Sequence, residues 1–370
     1  MTTRAAQALS RPVRLGGLTV PNRVAMAPMT REGSPGGVPG DEVAAYFARR
    51  AAGGTGLIIT GGTYVDHPSA GQHDQVSRLD GEEEAFAGWS KVVEAVHREG
   101  GLIMPQLQHV GMVRNAGEPP YPDAPAIGPS GLTLDGNQGT GRAMTPDDID
   151  DVVQAFATAA AEAERLGFDG VELHGAHGYL IDQFLWSTTN RRTDAYGGDL
   201  KSRTRFPVEV VTAIRQAVSP AFPIVLRLSQ WKATDYNARI AESPEELATI
   251  LGALVDAGTD AFHASTRRYW LPEFDDSDLT LAGWTKKLSG KPTIAVGSVG
   301  LDTEFMSSLA GGTANPTGIT PLLDRLEADE FDLIAVGRSL LGDPAWTTKI
   351  LEGRDTDITP FTPAAMAVLH

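Results

Sequence analysis

The chain reads as an α/β protein, a single (β/α)8 TIM barrel, and three observations predict this. Eight short apolar runs, each the length of a buried parallel strand, alternate with helix-length segments. The unusual polar residues and glycines fall at or just past the carboxyl ends of those runs, the face on which barrel enzymes carry their sites. The GxGxxG turn that would follow the first strand of a doubly wound open sheet is absent. At 370 residues the chain exceeds an average domain, yet one barrel with insertions accommodates the whole span 1–370.

Taken in order, residues 12–23, PVRLGGLTVPNR, form an N-terminal hairpin around Gly16 and Gly17 that plugs one end of the barrel. The first strand, 24–27, ends at Pro28, Met29, Thr30 and Arg31. A Pro/Gly-rich loop, 33–40, precedes a helix from Asp41 through Arg50. The second strand, 57–60, is closed by Gly61 and Gly62. The amphipathic stretch 89–98 is a helix ended by Gly100 and Gly101. The third strand, 102–107, carries Gln106, with His109 just beyond it. After it, 108–144 is rich in Gly and Pro and has little periodicity. A compact fold keeps such a long excursion for function, and it is expected to act as a lid.

Thr145 caps and Pro146 opens the helix that leads into 149–166. The fourth strand begins at Val171 and breaks into His174, Gly175, Ala176, His177, Gly178 and Tyr179, where small residues let the backbone turn so that two imidazoles and a phenol converge. A helix at 203–217 leads to the fifth strand, 224–228, which carries Arg227. Ser243 caps a helix to Ala257, and the sixth strand, 261–264, runs into Ser265 to Trp270. The seventh strand, 293–296, is closed by Gly297 and Ser298; the eighth, 333–336, by Gly337 and Arg338.

Composition narrows the function. Hydrophobic residues at 41% and charged residues at 21% suit a soluble globular protein, with no apolar run long enough to span a bilayer. The first twelve residues hold no apolar signal core, so a cytoplasmic location is expected. A net charge of -16 argues against nucleic acid and anionic membranes as partners. The absence of Cys removes disulfides, thiolate zinc sites, iron–sulfur clusters and cysteine nucleophiles. A small-molecule partner is expected, with the chain a monomer or a homodimer.

The strand ends then suggest chemistry. Gly297-Ser298 and Gly337-Arg338 offer backbone donors and one charged fork after strands seven and eight, where barrels often hold phosphate. Gln106 offers an amide, Thr30 a hydroxyl and Arg227 a permanent cation, which in a barrel interior must find a partner, either a ligand or a carboxylate such as Glu172. His174 and His177 admit three readings: metal ligands, packing residues, or hydrogen-bond donors to a substrate. The first lacks companions, since no Cys exists and no acidic cluster stands at the strand ends.

The motifs NRVAMAPMTR at 22–31, TGGTYVD at 60–66, QLQHVG at 106–111, GFDGVELHGAHGYLIDQFL at 167–185, TTNRRTDAYGG at 188–198, RTRF at 203–206, VLRLS at 225–229, TIAVGSVG at 293–300 and IAVGRSLLGDPAW at 334–346 run through nearly the whole chain. In them the chain resembles the old yellow enzyme family of FMN-dependent ene-reductases. The resemblance implies noncovalent FMN held by Pro28, Met29, Thr30, Gly62, Gln106 and Arg227 around the ring, and by Gly297, Ser298, Gly337 and Arg338 at the phosphate. It implies that NADH or NADPH reduces the flavin and that hydride then passes to the β carbon of an activated alkene, an α,β-unsaturated carbonyl or nitro compound. His174 and His177 would donate hydrogen bonds to the substrate oxygen, and Tyr179, a phenol with an ordinary pKa of about 10, would protonate the α carbon.

Tyr64, His67, Tyr269 and Trp270 are candidates for the pocket wall. The stretches 108–144 and STRRYW at 265–270 match the family least, and substrate choice would be set there. Two readings from other classes stay open: a metal-dependent barrel hydrolase using His174 and His177, and a non-catalytic flavin-binding stress protein. Relatives that carry an iron–sulfur cluster need cysteines this chain lacks.

Overall fold

The computed structural model describes residues 2–309 and 314–370. The eight expected runs form β1 (Val24–Met26), β2 (Leu57–Val65), β3 (Leu102–Gln108), β4 (Val171–His177), β5 (Ile224–Lys232), β6 (Ala261–Ser265), β7 (Thr293–Val296) and β8 (Leu333–Val336). Each pairs in parallel with the next, and β8 pairs with β1, so the sheet closes on itself. Covered on both faces, these strands are apolar runs rather than alternating ones.

The hairpin Val13–Leu15 and Leu18–Val20 turns at Gly16, whose φ of 56° suits glycine alone without strain. Its Val13, Leu15 and Val20 form one buried cluster with Ala25, Leu57, Ile59, Met104, Val225, Ala261, Ile294 and Leu333, alternate residues of the barrel strands. Burial of a Val, Leu or Ile side chain stabilises by about 1.5–3 kcal/mol, so the hairpin and the lower barrel secure each other. This apolar floor closes the end of the barrel opposite the strand ends that carry the site.

The outer helices include α1 (Asp41–Ala52), α2 (Glu83–Arg98), α3 (Pro146–Arg165), α4 (Arg205–Ala217), α5 (Pro244–Ala257), α6 (Leu281–Ser289) and α7 (Thr320–Glu327). Thr145 and Asp148 close a capping box on α3, and Ser243 caps α5, which Gly258 ends at φ 115°.

Several boundaries differ from expectation. β2 does not stop at Gly61 and Gly62 but continues through a register shift to Val65. β5 likewise extends past Leu228 to Lys232. The helix expected over 203–217 breaks at Thr204, and the helices α6 and α7 add to those expected. The excursion is ordered around a short parallel pair, Ile127–Gly128 with Arg142–Ala143. It packs against the segment after β4: Met112 N–H donates to Gln183 Oε1 at 3.1 Å, and Arg192 donates to the carbonyls of Pro129 and Met144 at 2.8 and 2.7 Å.

Candidate active site

The strand ends enclose a cavity of about 590 Å3, within the usual range for a small-molecule or cofactor site. Its wall gathers Pro28, Met29 and Thr30 beyond β1, Gln106 of β3, His174, His177 and Tyr179 of β4 and its turn, and Arg227 of β5. Gly297, Ser298, Gly337 and Arg338 follow from the ends of β7 and β8. No residue of 108–144 lines it; the hydrogen bonds of the excursion described above run to the segment after β4.

Register explains the convergence. Arg227 lies beside His174 on one side and His263 on the other, and Gln106 lies beside Glu172. The Glu172 carboxylate accepts from Gln106 Nε2 and pairs with His263 Nδ1, both at 2.7 Å. It forms no ion pair with Arg227 among the described residues; the guanidinium instead donates from Nη2 to Ser265 Oγ at 3.2 Å, and its Nε, buried, has no partner. Burial pushes Arg227 down to about 10, with the Glu172 charge opposing, so it stays a cation at neutral pH.

His174 Nε2 and His177 Nδ1 face each other at 3.0 Å, and His177 Nε2 is 2.8 Å from Ser265 Oγ. His177 adopts φ 64°, a left-handed conformation uncommon outside glycine, and its N–H donates to Ser229 Oγ at 3.0 Å. Burial, and next the Arg227 charge, hold both imidazoles well below the usual histidine range, so both are neutral near pH 7. The Tyr179 ring meets His174 edge to face, centroids 4.6 Å apart. Burial raises its phenol, while a hydrogen bond from the Gln108 side chain pulls the other way.

That contact gives Gly62 a different setting from the one expected. A Cβ on Gly62 would lie 1.5 Å from Gln108 Oε1, so glycine there makes room for the amide that reaches Tyr179. Gly62 lines a smaller recess beside the main cavity, and its N–H donates to Thr30 Oγ1 at 3.3 Å. Gln108 carried a usable signal: on a strand, residues two apart share a face, and Gln106 already pointed to the site.

At the far end, Gly297 is forced by close approach, since a Cβ would lie 2.6 Å from Thr266 Oγ1 and 2.7 Å from Thr266 O. Arg338, almost fully buried, is held by Ser308 Oγ, Ser298 Oγ and the Thr303 and Glu304 carbonyls.

The structure does not bring Tyr64, His67, Tyr269 or Trp270 to the cavity wall. Tyr64 packs over Gly71, and burial pushes its phenol up to about 12. His67 pairs with His109 at 3.2 Å, and Tyr269 packs on Trp270. Trp231, its ring tilted at 41° to that of His177 with centroids 4.6 Å apart, and Arg267, 3.6 Å over Tyr236, stand in the wall instead, with Phe305 and Met366. Trp231 lies on the part of β5 beyond its expected end. Among the described residues, no three His, Cys, Asp or Glu side chains are grouped as metal ligands.

The model of the NADH:flavin oxidoreductase / NADH oxidase family matches residues 8–357. The chain belongs to this family, that of old yellow enzyme. The chain is 35% identical over 357 residues to the NADH oxidase of Thermoanaerobacter brockii, covering 93% of this chain and 51% of that protein. It thus spans about half the length of that relative. It is 34% identical over 358 residues to flavin oxidoreductase hxnT of Emericella nidulans, covering 92% and 90%. Among solved structures it is similar to morphinone reductase, with a TM-score of 0.79 at 29% identity over 97% of this chain and 92% of that one.

FMN is the cofactor that membership of this family brings, and the residues fit it. The cavity is lined by a buried cation, Arg227, whose Nε has no partner, and by two adjacent strand-end turns with a buried arginine. Such a set suits a planar, electron-accepting ring with a phosphate tail.

Proposed function

We propose that this flavin oxidoreductase is an ene-reductase, oxidising NADH or NADPH and saturating the double bond of an α,β-unsaturated carbonyl or nitro compound. One observation carries the reading: two neutral imidazoles whose nitrogens face each other at 3.0 Å, with a protonated phenol packed against the first, all in the wall of the flavin cavity. A 12-oxophytodienoate reductase of Oryza sativa, 33% identical over 354 residues, supports it, as does a structure of morphinone reductase in complex with tetrahydroNAD, with a TM-score of 0.80 and 29% identity.

Bound FMN would supply the redox chemistry, hydride transfer between the nicotinamide and the alkene. The chain's residues do the rest. A carbonyl or nitro oxygen seated between His174 Nε2 and His177 Nδ1 replaces their mutual contact with two N–H donors, which draw electron density from the conjugated bond. Tyr179, kept protonated by burial, delivers its proton to the α carbon. Arg227 supplies the positive charge that favours the electron-rich flavin, and Trp231 closes the wall beside His177.

The test is spectroscopic. Anaerobic addition of NADH or NADPH to the yellow holoenzyme should bleach the flavin band, and 2-cyclohexenone should restore it. His174→Ala/His177→Ala should bind p-chlorophenol more weakly while retaining FMN. A folded protein that takes up no FMN, or a reduced flavin that no enone reoxidises, overturns the reading.

A further inference from the structure

Ser265, at the carboxyl end of β6, is 2% exposed and bonds to both polar sides of the cavity. Its oxygen lies 3.2 Å from Arg227 Nη2 and 2.8 Å from His177 Nε2. A guanidinium has donors and no acceptor, so Arg227 donates and one lone pair of Ser265 Oγ is taken. Two arrangements then remain for the short contact to His177. If His177 Nε2 carried the proton, it would fill the second lone pair, and the buried hydroxyl hydrogen would have no acceptor among the described residues. If the hydroxyl donates to a bare Nε2, the Ser265 oxygen, its hydrogen and both ring nitrogens of His177 are paired, as buried polar groups nearly always are.

We propose that Ser265 is a positioning residue: its hydroxyl, oriented by Arg227, donates to His177 Nε2 and keeps the single proton of that neutral imidazole on Nδ1, facing the cavity. Nδ1 is the atom that meets His174 Nε2 at 3.0 Å. Without ligand, His174 therefore accepts at Nε2 and carries its own proton on Nδ1, a buried atom with no partner. The two imidazoles differ in consequence. His177 is a preset donor, whereas His174 is free to change tautomer when an oxygen takes the place between them. Trp231, whose indole N–H donates to the Ser265 carbonyl at 3.1 Å while its ring packs at a tilt against His177, keeps both residues in register.

The proposal rests on the reading of His174 and His177 as ligand-facing donors, and two separate signals test the two ideas. In FMN-loaded protein with 15N-labelled histidine, long-range proton–nitrogen NMR reports which ring nitrogen is protonated; the His177 signals are those lost in His177→Asn. Wild type should show a protonated Nδ1 and a bare Nε2. Ser265→Ala should populate both tautomers and weaken p-chlorophenol binding about tenfold, the loss of one hydrogen bond's net worth. Ser265→Thr, which keeps a hydroxyl, should restore both. A wild-type His177 protonated at Nε2, or an unchanged tautomer in Ser265→Ala, overturns the proposal. A shifted tautomer with p-chlorophenol affinity unchanged in both Ser265→Ala and His174→Ala/His177→Ala upholds the role of Ser265 and overturns the assignment of the ligand site.

Discussion

Lys232 and Asp182 meet at 2.8 Å with neither side chain exposed to solvent, and the second Asp182 oxygen accepts the N–H of Gly178 at 2.6 Å. Gly178 separates His177 from Tyr179, so an ion pair sealed in the core holds the turn that carries both. Burial disfavours each charged form, raising Asp182 and lowering Lys232, and each is compensated mainly by the other. Asp182→Ala leaves an unpaired buried ammonium and a freed Gly178 N–H. The expected cost in urea unfolding is about 3–5 kcal/mol. A loss under 1 kcal/mol means that the turn is held by other contacts.

Tyr179→Phe separates the two half-reactions. Reduction of the holoenzyme by a nicotinamide needs no proton from this phenol, so its rate should stay near wild type. Reoxidation by 2-cyclohexenone should slow by about 10²- to 10⁴-fold, the usual worth of a positioned general acid. Stopped-flow traces decide it: equal slowing of both halves marks a structural tyrosine, and no slowing means that another group supplies the proton.

Gly62→Ala tests the contact behind that phenol. The new methyl cannot coexist with Gln108 Oε1, which must swing away from Tyr179. With only burial acting on it, the phenol becomes a weaker acid. Enone reduction should slow by about three- to tenfold, the worth of one hydrogen bond, with flavin content unchanged. Wild-type turnover would show that Gln108 is idle.

Glu273 should give the protein a distinctive pH response. Burial raises its carboxyl to about 7, with Arg239 at 2.7 Å opposing. The folded state therefore holds a proton that the unfolded chain releases above about 4.5. Where the folded state binds more protons, stability falls as pH rises, here between those two values. Relative to Glu273→Gln, wild type should lose up to about 3 kcal/mol from pH 4.5 to 7.5 in thermal or urea unfolding. A constant offset between the two would mean a carboxylate ionised throughout.

The barrel was legible because buried parallel strands are apolar runs, and because Gln106, His174, Arg227, Gly297 and Arg338 each interrupt or close such a run on the same side of the sheet. The pairings among them were not. Arg227 was assigned a carboxylate in Glu172 as its alternative, yet register gives Glu172 to Gln106 and His263 and gives Arg227 to Ser265. Which neighbour a buried cation takes depends on side-chain length across adjacent strands, a quantity that no single strand encodes. The aromatic wall failed for a related reason. Tyr64 and Trp231 both lie on strand continuations past the expected ends of β2 and β5, and only the course of each continuation decides that one packs over Gly71 and the other against His177.

The left-handed main chain at His177 has an evolutionary corollary. Outside glycine that conformation is adopted most readily by Asn, Asp and His, and a β-branched residue there is an outlier. Substitutions at 177 are therefore screened by the backbone before chemistry can judge them. Thr, a competent donor elsewhere, would first have to rebuild the turn; Asp fits the turn but, ionised, has no proton to offer. Asn passes both filters, with an amide in place of a ring nitrogen. Drift at this position is thus confined to a narrow path between His and Asn, and the polypeptide, rather than the substrate, draws its edges.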